Sequence, residues 1–134
     1  MRVFVTGATG FIGSAIVDEL RTAGQQVLGL ARSDAAADTL AGLGVEAHRG
    51  ELSDTESLAA GARACEGVIH TAFITDWSTT PFEVAVETDR RAVEAVRHSC
   101  SRQTAGHRRP RAMPWWRRRY AAVDPARSHA DEGD

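Results

Sequence analysis

Short apolar runs alternate with amphipathic stretches along the first 96 residues of the chain. The apolar runs are rich in valine, isoleucine and leucine, as is typical of strands buried on both faces of a parallel sheet. The stretches between them repeat their apolar residues at the spacing of a helix. We therefore predict strands at 2–6, 27–31, 45–48 and 67–71, and helices at 11–23, 35–42, 54–63 and 82–96.

Several residues mark the ends of these helices. Gly24 and Gly44 follow the first and second helices, where glycine commonly takes the conformation that ends a helix. Ser33 or Asp34 can cap the start of the second helix. The segment 53–56 (SDTE) has the S-x-x-E form of a capping box, which predicts Ser53 as the cap of the third helix.

The apolar positions of the first and last helices are expected to face the core. In the first helix these positions are Phe11, Ile12, Ala15, Ile16, Leu20 and Ala23. In the last helix they are Phe82, Ala85, Val86, Ala92, Val93 and Val96.

Four alternations of strand and helix predict an α/β fold with a parallel sheet and right-handed crossovers. The doubly wound arrangement gives the strand order 3-2-1-4, so we expect an incomplete Rossmann-like half-domain over residues 1–96. The fourth strand would have no neighbour on its outer side. Self-association through that exposed sheet edge is therefore an expected property.

The segment 97–134 differs from the rest of the chain. It holds 9 arginines against 4 acidic residues, whereas residues 1–96 hold 7 arginines against 14 acidic residues. It contains almost no leucine, isoleucine or valine, so we expect an irregular tail that builds no core. The composition favours coding sequence read in a shifted frame, with a disordered tail or a functional basic arm as alternatives. Arginines that contact phosphates and Trp115 and Trp116 stacked on bases would make the arm a nucleic-acid binder, but the arginines follow no helical or strand period.

Composition excludes several other classes of protein. The sequence has no run of eighteen apolar residues and begins directly in a strand pattern, which argues against a membrane span and against export. Cys65 and Cys100 have no metal-like spacing, so we predict no metal site and no disulfide framework. These observations predict a cytoplasmic protein.

Glycines at positions 7, 10 and 13 lie between the first strand and the first helix. Gly7 would allow the tight turn, Gly10 would leave room for a diphosphate, and Gly13 would let the helix pack closely. Free N–H groups near Phe11 and Ile12 would then face phosphate oxygens with the helix dipole behind them. The loop therefore predicts a site for the pyrophosphate of a nicotinamide dinucleotide.

The residue that contacts the adenosine ribose should lie about 20 positions after the glycine loop, at the end of the second strand. Arg32 occupies this place. Its guanidinium, helped by the Ser33 hydroxyl, offers charge-assisted donors to a ribose 2′-phosphate, which predicts NADP. In the alternative interpretation Arg32 is a solvated surface residue, Asp34 contacts the ribose, and NAD is the cofactor.

Two further strand ends contribute predicted contacts. Glu51 could accept from the adenine amino group while Leu52 packs on the ring. The segment 70–72 (HTA) ends the fourth strand, where its backbone and small side chains can border the nicotinamide ribose; His70 is expected to be a strand-end histidine rather than a catalyst. The predicted cofactor-binding residues are Gly7, Thr9, Gly10, Phe11, Ile12, Gly13, Arg32, Ser33, Glu51, Leu52, His70, Thr71 and Ala72.

Three segments together resemble the extended short-chain dehydrogenase/reductase family of NAD-dependent epimerases and dehydratases: 5–13 (VTGATGFIG), 48–54 (HRGELSD) and 67–72 (GVIHTA). The resemblance covers residues 1–96. It implies hydride transfer on a small hydroxyl, carbonyl or nucleotide-sugar substrate. It also implies a later Tyr-x-x-x-Lys pair, in which the lysine lowers the pKa of the tyrosine so that it can act as acid and base.

The sequence departs from this family pattern on the catalytic side. The single tyrosine, Tyr120, is followed four residues later by Asp124, and the chain has no lysine. An asparagine-glycine stretch that usually opens the last helix is also missing. We therefore assign no catalytic residue and expect no turnover by this chain itself.

The leading interpretation is the NADP-binding N-terminal part of an oxidoreductase or epimerase, truncated or frame-shifted near residue 97. The alternative is a non-catalytic NADP-binding module that regulates a partner through the exposed sheet edge.

Overall fold

The computed structural model describes the backbone of residues 1–104 and the side chains of residues 1–99. Predictions for the rest of the arginine-rich segment, including those on Trp115, Trp116, Tyr120 and Asp124, lie outside the described residues. The elements are β1 (Arg2–Thr6), α1 (Phe11–Thr22), β2 (Gln26–Ala31), α2 (Asp34–Gly42), β3 (Glu46–Arg49), α3 (Thr55–Arg63), β4 (Gly67–His70) and α4 (Phe82–Thr104). The predicted alternation of strands and helices is confirmed.

The four strands form one parallel sheet in the order β3-β2-β1-β4, as the sequence predicted. Thr6 at the end of β1 is in register with His70 at the end of β4, and Ala31 at the end of β2 with Arg49 at the end of β3. All four strands therefore end at the same edge of the sheet. In α/β sheets of this kind, ligands bind outside that edge.

Helices cover both faces of the sheet, and each face has its own hydrophobic core. Side chains of β1 alternate between the two cores, with Val3 and Val5 on one side and Phe4 on the other. The first core continues through Val17, Leu20, Val27 and Leu40. The second continues through Leu28, Leu30, Leu58, Ala62, Cys65, Ala92 and Val96.

The buried faces of two helices differ from the predicted ones. In α1 the buried residues are Gly13, Val17 and Leu20, whereas Phe11 is 96% and Ile12 is 65% exposed. The core-facing prediction is therefore wrong for Phe11 and Ile12, which lie in the first turn at the edge of the sheet. It is also wrong for Ala15 and Ala23, which are exposed. In α4 the prediction is confirmed for Ala85, Ala92 and Val96, which are buried, and wrong for Phe82, Val86 and Val93, which are exposed. Ser99, which was not predicted to face the core, is also buried.

Two helix boundaries also differ. Asp54, not Ser53, caps α3, since its carboxylate accepts from the Ser57 N–H at 2.9 Å. The Ser53 hydroxyl instead donates to the Glu51 carboxylate at 2.6 Å. Helix α4 continues to Thr104, and its buried face extends one turn past Val96, to Ser99.

The outer face of α4 carries an ion-pair cluster. Glu87 accepts hydrogen bonds from Arg90 and Arg91 at 2.7 to 2.8 Å, and these bonds lower the pKa of Glu87 to about 2. Arg90 also donates to Glu94 at 2.8 Å. Across residues 1–104, no helix combines the length and the apolar character needed to cross a membrane.

Candidate cofactor-binding site

The loop between β1 and α1 turns sharply at Gly7, whose φ of +71° lies in the left-handed region. Residues with a Cβ rarely adopt this conformation. The turn is closed by a hydrogen bond of 2.9 Å from the Gly10 N–H to the Gly7 carbonyl. A Cβ at Gly7 would also lie 2.8 Å from the Ala72 nitrogen. The loop thus packs directly against the segment that follows β4.

Gly13 and Gly10 have opposite surroundings. A Cβ at Gly13 would lie 1.9 Å from the Gly7 carbonyl oxygen, so α1 rests on the backbone of the loop itself. A Cβ at Gly10 would meet only the Gly7 carbonyl oxygen, at 3.2 Å, and would otherwise point into open space. The loop is therefore packed on one side and open on the other, and the open side lies at the start of a helix.

The start of α1 offers unbonded donors. Gly10, the N-cap, has no side chain to cap the helix, and the first turn contains no acidic residue. The first N–H that reaches a carbonyl within this helix is that of Ser14, which donates to Gly10 at 2.8 Å. The N–H groups of the three residues before Ser14 remain available, with the positive end of the helix dipole behind them. This arrangement suits an anionic group such as a diphosphate.

Thr6 connects the ends of β1 and β4. Its Oγ1 accepts from the Thr71 N–H at 3.2 Å and the Ala72 N–H at 3.4 Å, and it lies 2.7 Å from His70 Nδ1. Because the Thr6 oxygen accepts two hydrogen bonds, its hydroxyl hydrogen donates to His70 Nδ1. The proton of the His70 ring is then on Nε2, which donates to the Asp89 carboxylate at 3.0 Å. These bonds occupy both ring nitrogens of His70 in joining β1 to α4. A contact of His70 with a cofactor would therefore come from its backbone.

The end of β2 leads into an open groove. Its lining comprises Ala31, Arg32, Ser33, Asp34, Arg49, Gly50, Glu51 and Asp54. Ser33 caps α2 by accepting from the Ala36 N–H at 3.2 Å, and its hydroxyl donates to no group within residues 1–99. Arg32 is exposed, and its guanidinium forms no ion pair with the side chains of residues 1–99. Asp34, by contrast, forms an ion pair with Arg49.

Glu51 lines this groove, and Leu52 follows it in the sequence. Glu51 is exposed at the groove wall, where it accepts from Ser53. Leu52 is half-buried and packs against the core that contains Phe4. The glycine loop and the groove follow β1 and β2, which are neighbouring strands, so the structure brings the predicted residues to one edge of the sheet.

Sequence reasoning gave no site role to Thr6, Arg49 or Asp89. Arg49 could have been found, because it follows a strand that ends at the same edge as β2. Thr6 and Asp89 carried no comparable signal, since their partners lie 64 and 19 residues away in the sequence. Within the described residues, no three histidine, cysteine, aspartate or glutamate side chains form a group that could hold a metal ion.

Known proteins resemble this chain in both sequence and structure. An uncharacterized protein of Schizosaccharomyces pombe is 47% identical over 96 residues, which is 72% of this chain and 32% of that protein. The structure of yeast methylglyoxal/isovaleraldehyde reductase complexed with NADPH aligns with a TM-score of 0.63 and 26% identity, over 76% of this chain and 33% of that one. A short-chain dehydrogenase/reductase superfamily protein from Agrobacterium tumefaciens with bound NAD aligns with a TM-score of 0.58 and 29% identity, over 75% of this chain and 30% of that one.

The chain thus spans about a third of the length of these relatives. The model of the NAD dependent epimerase/dehydratase family matches residues 3–109, which include the glycine loop, β2, β3, β4 and all of β1 except Arg2. The chain therefore belongs to the NAD dependent epimerase/dehydratase family.

Proposed function

We propose that residues 1–96 bind NADP and form the cofactor-binding part of an oxidoreductase or epimerase. The observation that carries this proposal is the uncapped start of α1, open at Gly10, beside a groove that presents the guanidinium of Arg32, which has no ion-pair partner among the side chains of residues 1–99. The first feature suits a diphosphate and the second a ribose 2′-phosphate. The relatives add support for a nicotinamide dinucleotide, since one was solved with NADPH and another with NAD.

Each part of the dinucleotide has proposed contacts. The diphosphate would be held by Gly7, Thr9, Gly10, Phe11, Ile12 and Gly13, and the 2′-phosphate by Arg32 and Ser33. Glu51 and Leu52 would contact the adenine, and His70, Thr71 and Ala72 would border the nicotinamide ribose. The exposed apolar side chains of Phe11 and Ile12 would lose solvent contact when the cofactor binds, which favours binding.

The bound nicotinamide would supply a hydride donor or acceptor. The residues of this chain would position it at the carboxyl edge of the sheet, with the Thr6 hydrogen bonds fixing the backbone of Thr71 and Ala72. We assign no catalytic residue within the described part of the chain.

The first test of this proposal is Gly10→Val. The φ of −77° and ψ of 170° at Gly10 suit any residue, and its Cβ position meets only one atom, so we expect the fold to tolerate the change. The valine methyl groups would occupy the space of the diphosphate and separate it from the helix N–H donors. We expect the Kd for NADPH to rise by about 30-fold, as for the loss of one or two hydrogen bonds to a charged group.

Fluorescence titration with NADPH measures this change, and a thermal melt without cofactor reports on folding. The matched control is Gly42→Ala in α2, which meets no atom within 4 Å and should leave the Kd unchanged. Unaltered NADPH binding by a folded Gly10→Val chain would argue against the diphosphate site. A melting temperature that does not rise with either dinucleotide for the unmodified chain would argue against the proposed function as a whole.

The second test is Arg32→Asp, which concerns the choice between NADP and NAD. The aspartate removes the cation from the groove and can accept from a ribose 2′-hydroxyl, while it repels a 2′-phosphate. We expect NADPH to bind about 20-fold more weakly and NADH to bind more tightly, a change on the order of one charge-assisted hydrogen bond. The same charge change at the exposed Arg97 of α4 should affect neither titration. Equal losses for both cofactors would refute the assignment of Arg32 to the 2′-phosphate.

A further inference from the structure

Asp34 and Arg49 form an ion pair at the opening of the groove that holds Arg32. Arg49 is the last residue of β3 and lies in register with Ala31, the residue directly before Arg32. The Asp34 side chain is 89% exposed and that of Arg49 is 52% exposed. The pair therefore lies at the surface, in direct reach of a molecule that enters the groove.

Stability does not account for this pair. Exposed ion pairs contribute little to folding, because water screens the charges and the side chains lose freedom when they pair. The position of Asp34 suggests a different role. A free carboxylate two residues after Arg32 would accept from a ribose 2′-hydroxyl and repel a 2′-phosphate, which is the chemistry that favours NAD.

We propose that Arg49 is a specificity-determining residue: by pairing with Asp34, it neutralises a carboxylate close to Arg32 that would oppose a 2′-phosphorylated dinucleotide. This inference rests on the proposed function, since it concerns the same groove. Glu51 and Asp54 also line the groove, where Glu51 accepts from the Ser53 hydroxyl and Asp54 from the Ser57 N–H, so within residues 1–99 Asp34 is the groove carboxylate that is paired with an arginine. With Asp34 held by Arg49, Arg32 keeps its charge available for the phosphate.

The test is a double-mutant cycle on the full 134-residue chain, with Arg49→Met, Asp34→Asn and the combination of both, titrated with NADPH and with NADH. Arg49→Met frees the Asp34 carboxylate. We expect NADPH to bind on the order of tenfold more weakly, as for one added like charge a few ångström away in partly screened surroundings, and NADH to bind no more weakly than before. Asp34→Asn in the Arg49→Met background should restore NADPH binding to within about twofold of the unmodified chain, because the repelling charge is gone.

The matched control is Arg2→Met. Arg2 pairs with Glu46 at 2.7 Å at the opposite edge of the sheet, where β1 and β3 begin, so its loss removes a surface ion pair without touching the groove. Neither titration should change.

The outcomes separate the inference from the proposed function. If the double variant binds NADPH as weakly as Arg49→Met, Arg49 contacts the phosphate directly and the neutralising role is overturned. If Arg49→Met weakens NADPH and NADH equally, the pair only holds the groove together, and the inference is again overturned. If the unmodified chain melts cooperatively but binds neither dinucleotide, the proposed function is overturned, and the inference about Arg49 is overturned as well.

Discussion

Replacing Gly13 with alanine is expected to destabilise the chain by at least about 3 kcal/mol, the upper range for adding a methyl group to a packed interior. The added Cβ would lie 1.9 Å from the Gly7 carbonyl oxygen and 2.6 Å from the Gly7 carbonyl carbon. Backbone atoms cannot rotate away as a side chain can, so the start of α1 would have to move off the loop. Gly7 in turn packs against Ala72, so the movement would reach the end of β4.

Urea unfolding followed by circular dichroism measures this loss. The control is Gly42→Ala, which also adds one methyl group to a helical glycine but meets no atom within 4 Å. It should be neutral or stabilise the fold by about 0.5 kcal/mol, since alanine loses less backbone entropy than glycine. Equal unfolding midpoints for the two variants would show that α1 does not rest on the loop as described.

The order of the strands could be predicted from the sequence, because it depends on patterns that extend over only a few neighbouring residues. Apolar runs and helical spacing repeat regularly from Val3 to Val96, and one topology rule then orders the strands. The glycine loop followed for a similar reason, since its three glycines, a strand and a helix are contiguous. Local pattern was therefore sufficient for the sheet and for the position of the loop.

Local sequence patterns did not predict the structure correctly where two neighbouring residues could take the same role, or where tertiary contacts determine whether a side chain is buried. Serine and aspartate are both favourable N-cap residues, so the sequence does not distinguish Ser53 from Asp54. The structure shows that Asp54 is the N-cap of α3. Phe11 is apolar and in helical phase, yet it lies beyond the edge of the sheet and is exposed. An exposed apolar side chain at helical spacing has the same sequence signature as one in the core.

The ion pair between Asp34 and Arg49 shows the same limit for charges. Read along the sequence, Asp34 competes with Arg32 for the ribose, and the two give opposite cofactors. The pairing of β2 with β3 brings Arg49 to the same edge, where it forms an ion pair with Asp34 that the order of residues does not reveal. The effect of a charged residue on ligand binding depends on the charged residues that the fold brings next to it.

Phe4→Ala is expected to cost about 3 to 5 kcal/mol, the usual range for removing a buried phenyl ring. Phe4 is fully buried in the centre of the sheet and packs edge-on against the His48 ring, with the centroids 5.5 Å apart. It also faces Gly61 of α3, where a Cβ would lie 2.6 Å from the Phe4 Cζ atom. The ring thus occupies the space that the missing side chain of Gly61 leaves, and this fit sets how closely α3 approaches the sheet.

This fit predicts non-additive unfolding energies. Gly61→Ala alone should destabilise by about 1 to 3 kcal/mol through overpacking against the Phe4 ring. In the Phe4→Ala background the same change should be neutral or stabilising, because the alanine then fills part of the cavity. Phe11→Ala, which removes a ring that is 96% exposed, is the control and should change the free energy of unfolding by less than about 0.5 kcal/mol. Additive losses for Phe4 and Gly61 would contradict the contact, since the two changes would then act on separate parts of the core.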